Sequence, residues 1–125
     1  MLSSVVESVI TKGLKVVPET AAGVITIALS GSCDTESLPL LDPFFAAVHT
    51  EALRIGARKV ILDCESLYFM NSSSVKCFVT WLARVKAMNP TERYSVQFNT
   101  NKHLSWQKRS LAALQRFAPA VVGIE

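Results

Sequence analysis

The sequence is poor in several features that would define a protein class at once. Charged residues make up only 18% of the 125 positions, whereas apolar residues make up half. A chain with this balance folds around a core and is not intrinsically disordered. No apolar run approaches the roughly 18 to 20 residues of a membrane span, and the start, MLSSVVESVI, lacks the basic residues and the cleavage site of a signal peptide. We therefore expect a cytoplasmic globular protein that does not insert into a membrane.

Cysteine, glycine and aromatic residues are too few or wrongly spaced for several kinds of site. Cys33, Cys64 and Cys77 form no CxxC pair, which argues against a disulfide framework and against a zinc site. The glycines form neither GxGxxG nor GxxxxGK[ST], so a nucleotide cofactor is not indicated. Aromatic residues are too scattered to form a stacking platform for nucleic-acid bases. We expect reduced structural thiols, no metal and no cofactor.

Charge is distributed unevenly along the chain, although the net charge is only +3. Residues 1–75 contain five Lys or Arg and eight Asp or Glu, whereas residues 76–125 contain eight basic and two acidic residues. The basic residues near the end form no dense stripe and no recognisable nucleic-acid-binding module; they are Lys102, Lys108, Arg109 and Arg116. We interpret them as a solvated helix face, with an acidic protein partner as the second interpretation, and expect no direct nucleic-acid binding.

Apolar patterns predict a β-hairpin and a helix in the first half of the chain. Residues 14–17 and 23–29 are rich in β-branched residues, and the segment PETAAG between them supplies the Pro and Gly of a turn. Apolar residues then recur at spacings of three and four from Leu41 to Ile55, and Gly56 ends this helical pattern. Pro39 and Pro43 are compatible with the first turn of the helix.

The second half of the chain alternates strands and helices. Residues 60–63, VILD, predict a central strand that is covered on both faces. A second helix follows the serines and stops at Asn89 and Pro90, residues 94–99 and 119–124 predict strands, and residues 105–117 predict a third helix. The order β-β-α-β-α-β-α-β indicates an α/β fold with a mixed sheet of about five strands and helices packed against it. We expect one domain over residues 1–125, with residues 1–12 as an N-terminal extension that could be flexible.

Three consecutive serines, Ser72, Ser73 and Ser74, stand at the start of the predicted second helix, in FMNSSSVKCF. Unpaired N–H groups and the helix dipole favour negative charge at such a position. A phosphate, with a charge of about −1.5 to −2, would therefore be well placed there. The simpler interpretation is that Asn71 or Ser72 caps the helix, a contribution of about 1 kcal/mol. From the serines alone, the helix cap is favoured.

Two segments resemble the STAS domain, the family of bacterial anti-sigma-factor antagonists. VITIALSGSCDTESLPLL is similar to the family's strand that ends in glycine and aspartate before the first helix, and Gly31 and Asp34 match. VILDCESLYFMNSSSVKCF is similar to a strand that ends in aspartate, matched by Asp63, followed by Asp-Ser-Ser/Thr-Gly and a helix. The family's phosphorylated serine falls on Ser72.

The resemblance implies a regulatory switch without chemistry of its own. In that family the unphosphorylated module binds an ATP-dependent serine kinase that is also an anti-sigma factor or a similar regulator of transcription. Phosphorylation, here of Ser72, ends the association, and a phosphatase restores it. The implied partner-binding residues are Asp34, Asn71, Ser73, Ser74 and Lys76. The resemblance implies no catalytic residue, cofactor or metal, and it leaves a homodimer open because members act as monomers, dimers and larger assemblies.

Two alternatives stand beside the switch. One is a constitutive scaffold or assembly subunit with the same fold and no phosphorylation, since Asn71, Ser74 and Lys76 replace the family's common aspartate, glycine and small residue. The other is a hydrolase in which Ser72 meets a histidine, His49 or His103, and the carboxylate of Asp63. The sequence contains no GxSxG motif to support the hydrolase.

Overall fold

A six-stranded mixed sheet and three helices form the protein, in a computed structural model that describes residues 6–125. The strands are β1 Val9–Ile10, β2 Leu14–Ala21, β3 Val24–Cys33, β4 Lys59–Met70, β5 Ser95–Asn99 and β6 Val122–Ile124. The helices are α1 Leu38–Ile55, α2 Ser72–Lys86 and α3 Ser105–Phe117, and a 3₁₀ turn, Thr35–Ser37, precedes α1. The predicted α/β class and element order are confirmed. The additional strand β1 lies in the stretch assigned to an N-terminal extension, of which residues 1–5 fall outside the described residues.

The strands stand in the sheet in the same order as in the chain. β1, β2 and β3 are antiparallel neighbours, and β3 to β6 are parallel neighbours joined through the three helices. The hairpin turn between β2 and β3 is shorter than PETAAG, because only Ala22 and Gly23 lie outside the strands and both have positive φ. Pro18 is therefore inside β2, where it pairs with Ile27 beyond the last residue that β1 reaches.

Burial alternates along the strands, and this corrects one expectation. Alternate residues of β3 and β4, such as Ile27 and Leu62, are buried, whereas their neighbours on the opposite face are partly accessible. Ile61, predicted to be covered like the rest of VILD, is one of these partly accessible residues. The prediction that the central strand is covered on both faces is wrong. β4 is nevertheless central, since it pairs with β3 on one side and β5 on the other.

Helices α1 and α2 pack against each other through aromatic side chains. The ring of Phe45 stacks on Trp81 with centroids 4.9 Å apart and contacts Phe78 at 4.7 Å. Pro43 lies inside α1 and not in its first turn, because the helix already begins at Leu38. The contacts of Phe45 with Phe78 and Trp81 hold α1 against α2. The candidate site lies near the starts of these two helices.

Candidate functional site

The two sequence segments that carry the family resemblance meet at one edge of the sheet. Cys33 and Met70 form the last parallel pair between β3 and β4, so the residues that follow both strands emerge side by side. The backbone N–H of Asn71 donates to the carbonyl of Cys33 at 3.0 Å. The Asn71 side-chain amide reaches the hydroxyl of Thr35 at 3.5 Å. The loops before α1 and before α2 therefore form one surface.

Asn71 caps helix α2 through its side chain. Its Oδ1 accepts hydrogen bonds from the backbone N–H of Ser74 at 2.8 Å and from the Ser74 hydroxyl at 2.7 Å. The predicted cap is thus present, and Asn71 is the residue that forms it. Ser74 has no exposed surface, although it was predicted among the partner-binding residues. In this conformation its hydroxyl holds the cap in place and does not reach a partner.

Ser72 and Ser73 differ from Ser74 because both are exposed. Ser72 is the first residue of α2, where the helix dipole favours an anion. Lys76 is also exposed and lies one turn further along the helix. We call Asp34, Asn71, Ser72, Ser73 and Lys76 the switch surface. A negative charge on Ser72 would lie at the positive end of the α2 dipole.

Asp34 occupies the corresponding position before the 3₁₀ turn. Its Oδ1 accepts from the backbone N–H of Glu36 at 3.1 Å, and its own N–H donates to the hydroxyl of Ser37 at 3.1 Å. These two bonds form a capping box that holds Asp34 partly exposed beside Asn71. The matched glycine of the same motif, Gly31, has φ 100. A Cβ at Gly31 would collide with the carbonyl of Gly13, so the close approach of the chain there requires glycine.

Three buried cysteines lie in the core that supports this surface. The Sγ of Cys77 lies 3.7 Å from the carbonyl of Ser73. Burial, with a contribution from Asp42, raises the pKa of the Cys77 thiol to about 11. Burial also raises the pKa of Cys33 to about 12, with the adjacent Asp34 as a further cause. These groups are therefore neutral thiols and poor nucleophiles.

Two aromatic residues near the end of β4, Tyr68 and Phe69, are exposed to solvent immediately before the switch surface. Register shifts follow Ala28 and Gly31 of β3, and at each shift β4 contains one extra residue. The strict alternation of β4 is lost there, so the adjacent residues Tyr68 and Phe69 are both exposed, at 60% and 50%. Sequence reasoning missed this feature. The signal was the change from alternation to pairs of polar or aromatic residues in ESLYFM.

The bulged part of β4 is held by side chains from α3 and the loop before it. The Gln107 amide donates to the carbonyls of Cys64 at 2.7 Å and Leu67 at 2.9 Å, and the Asn101 amide donates to Glu65 at 3.0 Å. The Gln107 Oε1 accepts from the backbone N–H of Asn101 at 2.8 Å. These side chains replace the hydrogen bonds that β5 can no longer supply, since its pairing with β4 ends before this point.

Gln107 is 1% exposed and was not singled out from the sequence. The available signal was its spacing, because Gln107, Leu111 and Leu114 lie at i, i+4 and i+7 and therefore on one helix face. A glutamine in line with two buried leucines is placed toward the interior, where its amide must find partners.

The residues considered for a hydrolase do not form a triad. The Nδ1 of His49 is hydrogen-bonded to the Tyr94 hydroxyl at 2.7 Å. The same hydroxyl accepts from the Trp81 indole at 2.9 Å. Asp63 lies within β4 and accepts from the backbone N–H of Glu65 at 3.1 Å. The desolvated position of His49 and the nearby Arg84 lower its pKa.

The described residues contain neither a cluster of potential metal ligands nor a helix that could span a membrane. Between residues 6 and 125, no three His, Cys, Asp or Glu side chains are grouped so that they could hold a metal ion. In the same part of the chain, no helix has both the length and the apolar character needed to cross a membrane.

Comparisons with known proteins give a match at the level of three-dimensional structure. No family model and no curated protein sequence matches the chain. An anti-sigma factor antagonist from Mycobacterium paratuberculosis superposes with a TM-score of 0.64 at 17% identity, covering 85% of this chain and 83% of that one. The anti-sigma factor antagonist SpoIIAA, in its unphosphorylated form, gives 0.54 at 19% identity, covering 75% and 79%. The chain therefore has the STAS fold of the anti-sigma factor antagonists.

Proposed function

We propose that the protein is a non-enzymatic regulatory module that exchanges protein partners according to the phosphorylation of Ser72. The observation that carries this proposal is the combination of an antagonist fold with an exposed serine at the first position of α2. The neighbouring Asn71 and Ser74 side chains satisfy each other. The hydroxyl of Ser72 is thus left accessible to a kinase.

Phosphorylation would act on binding and not on folding. It adds three strong acceptor oxygens and about −1.5 to −2 charges at the centre of the switch surface. The dipole of α2 and the ammonium group of Lys76 compensate this charge within the protein. A partner whose surface fits unmodified Ser72 would have to bury the phosphate when it binds the phosphorylated protein. Burial of this charge is costly without a matching cation. Association is therefore expected in the unphosphorylated form only.

The proposed partner is a serine kinase of the anti-sigma type, with a phosphatase that reverses the modification. Tyr68 and Phe69 extend the switch surface with exposed aromatic area, which is common at the energetic centre of protein interfaces. Asp34, Ser73 and Lys76 supply polar contacts around it. We place the protein in bacterial signal transduction that controls transcription, in the cytoplasm.

The test is phosphorylation of the purified protein. Incubation with ATP and the anti-sigma-type serine kinases of the same organism, followed by mass spectrometry, should place one phosphate on Ser72. Ser73→Ala is the matched control, since Ser73 is equally exposed one residue away, and it should still accept the phosphate. Phosphate on another residue in the unmodified protein, or none at all, would contradict the proposal.

Partner affinity separates the switch from a constitutive scaffold. Ser72→Ala should bind the kinase that phosphorylates the protein as tightly as the unmodified protein does. Ser72→Asp should lose most of its affinity for that kinase. A scaffold would bind equally well with either substitution, and that result would favour the alternative function.

A further inference from the structure

A second candidate binding site lies at the start of α3, outside the switch surface. An open cleft of about 560 Å³ lies between the loop after β5, one side of α3 from Ser105 to Gln115, and the end of β6. Its volume falls in the range of roughly 300 to 1,000 Å³ that is typical of small-molecule sites. None of its lining residues belongs to the switch surface. The two sites therefore have separate chemistry.

The charged side chains that line the cleft are both cationic. Lys102 and Lys108 border the cleft. No Asp or Glu of residues 6–125 lines it. The carboxylate of Glu125, the acidic residue nearest in sequence to the lining residue Ile124, is instead engaged by the amide of Gln97 at 2.8 Å. The cleft is thus electrostatically complementary to an anion.

The beginning of α3 adds to the positive potential of the cleft. Leu104 is the N-cap residue and lines the cleft, and in the described structure no side chain caps this helix end. The residues of its first turn, Ser105 to Lys108, include no acid. The backbone N–H of Gln107 donates to the carbonyl of Leu104 at 3.1 Å. The helix dipole and the N–H groups of Ser105 and Trp106, which precede Gln107 in this turn, are left for an external acceptor beside the two lysines.

The rest of the cleft is apolar. Leu104, Ala112 and Ile124 contribute hydrocarbon surface beside the lysines. The amide of Gln107, which also lines the cleft, is already occupied by the carbonyls of β4. A neutral polar ligand would consequently find few partners, whereas a ligand with an apolar body and one anionic group would match both parts of the wall.

We propose that this cleft binds a small organic anion, a carboxylate or phosphate monoester with a short apolar body. The anionic group lies near Lys102, Lys108 and the start of α3, and the apolar body lies against Leu104 and Ile124. This site is independent of the phosphorylation of Ser72. It would stand if the proposed switch failed, and the switch would stand if this site failed.

The test is a titration of the ¹⁵N-labelled full chain followed by NMR, with sodium hexanoate and phenyl phosphate as probes. Saturable shifts are expected in the backbone amides of residues 101–108 and in the side-chain amide of Gln107. Hexanamide, the uncharged match of hexanoate, should bind about tenfold more weakly, which corresponds to about 1.4 kcal/mol.

Matched variants distinguish the cleft from nonspecific attraction to a basic protein. Lys102→Gln combined with Lys108→Gln should weaken both anionic probes about tenfold, whereas Lys12→Gln with Lys15→Gln, exposed lysines elsewhere, should not. Ala112→Phe, which fills the cleft, should abolish the shifts. Shifts that do not saturate, that are equal for hexanoate and hexanamide, or that weaken equally in both lysine pairs would overturn the proposal. If a variant fails to fold, the comparison of hexanoate with hexanamide on the unmodified protein still decides it.

Discussion

Helices α2 and α3 both follow a parallel strand, and both begin with a serine, Ser72 and Ser105, but their first turns differ. The start of α2 is capped by Asn71, whose Oδ1 accepts two hydrogen bonds from Ser74. The start of α3 follows Leu104, which offers no side-chain acceptor. At α2 the backbone N–H of Ser74 is thus bonded to a side chain, whereas at α3 the N–H of Gln107 is bonded to the carbonyl of Leu104 and no side chain caps the helix.

The two proposals assign different uses to these two helix starts. At α2 the Asn71 cap leaves the hydroxyl of Ser72 exposed, and we propose that it is covalently modified by another protein. At α3 the uncapped end borders a cleft, which suits a reversible anionic ligand. The following substitutions test the contrast, from the largest expected effect to the smallest.

Gln107→Leu should destabilise the protein most, by about 3 kcal/mol. It leaves the buried carbonyls of Cys64 and Leu67 without donors, and each unsatisfied buried group costs about 1–3 kcal/mol. Urea denaturation measures the change. Gln115→Leu is the control on the same helix, because its single hydrogen bond to Val122 is long, at 3.4 Å. Equal losses from the two variants would show that Gln107 does not support β4.

Asn71→Ala should lower the free energy of unfolding by about 2 kcal/mol. It removes the cap of α2 and leaves the buried hydroxyl of Ser74 without its hydrogen-bond acceptor. Asn71→Asp keeps the acceptor and should change the free energy of unfolding much less. The same denaturation experiment compares them. If alanine and aspartate are equally tolerated, the contrast between a capped α2 and an uncapped α3 has no energetic basis.

Ser105→Glu should stabilise α3 by about 0.5–1 kcal/mol, since it places an anion at an uncapped helix start next to Lys102 and Lys108. The gain should shrink in high salt, where exposed charges are screened. The introduced carboxylate should also weaken hexanoate binding in the NMR titration. A stabilised variant that binds hexanoate unchanged would separate the helix end from the cleft.

Ser72→Glu should have the smallest effect on stability, about 0.3–0.5 kcal/mol in the stabilising direction, because this helix is already capped. Thermal unfolding at low and high salt measures it. The same variant should lose most of its affinity for the proposed kinase partner. A marked loss of stability would mean that phosphate at this position perturbs the fold.

Local signals in the sequence were enough to predict the element order and the cap. Asn71 precedes a helical pattern. Along the chain, segments with the apolar spacing of a strand alternate with segments that have the apolar spacing of a helix. The resemblance also placed Asp34 and Asn71 at the same site, and their loops are indeed adjacent. These features depend on neighbouring residues in sequence or on the parallel order of strands.

Features that depend on distant partners were not predicted. The two bulges of β4 arise from its register with β3, and the position of Gln107 depends on carbonyls about 40 residues earlier in the chain. The burial of Ser74 likewise follows from the packing of α2, so the run of three serines contains two exposed residues and one buried residue. Exposed strand residues such as Tyr68 and Phe69 resemble loop residues until the bulge is known.

The agreement between strand order and chain order has a consequence for biosynthesis. Each strand pairs with the strand made immediately before it, so the sheet can grow at one edge as the polypeptide leaves the ribosome. Among the six strands of residues 6–125, none has to be inserted between two that have already paired. Elements β3, β4 and α2, which present Ser72, are translated before α3, whose Gln107 braces the bulged part of β4. A segment that is translated later thus completes the support of a surface that was synthesised earlier.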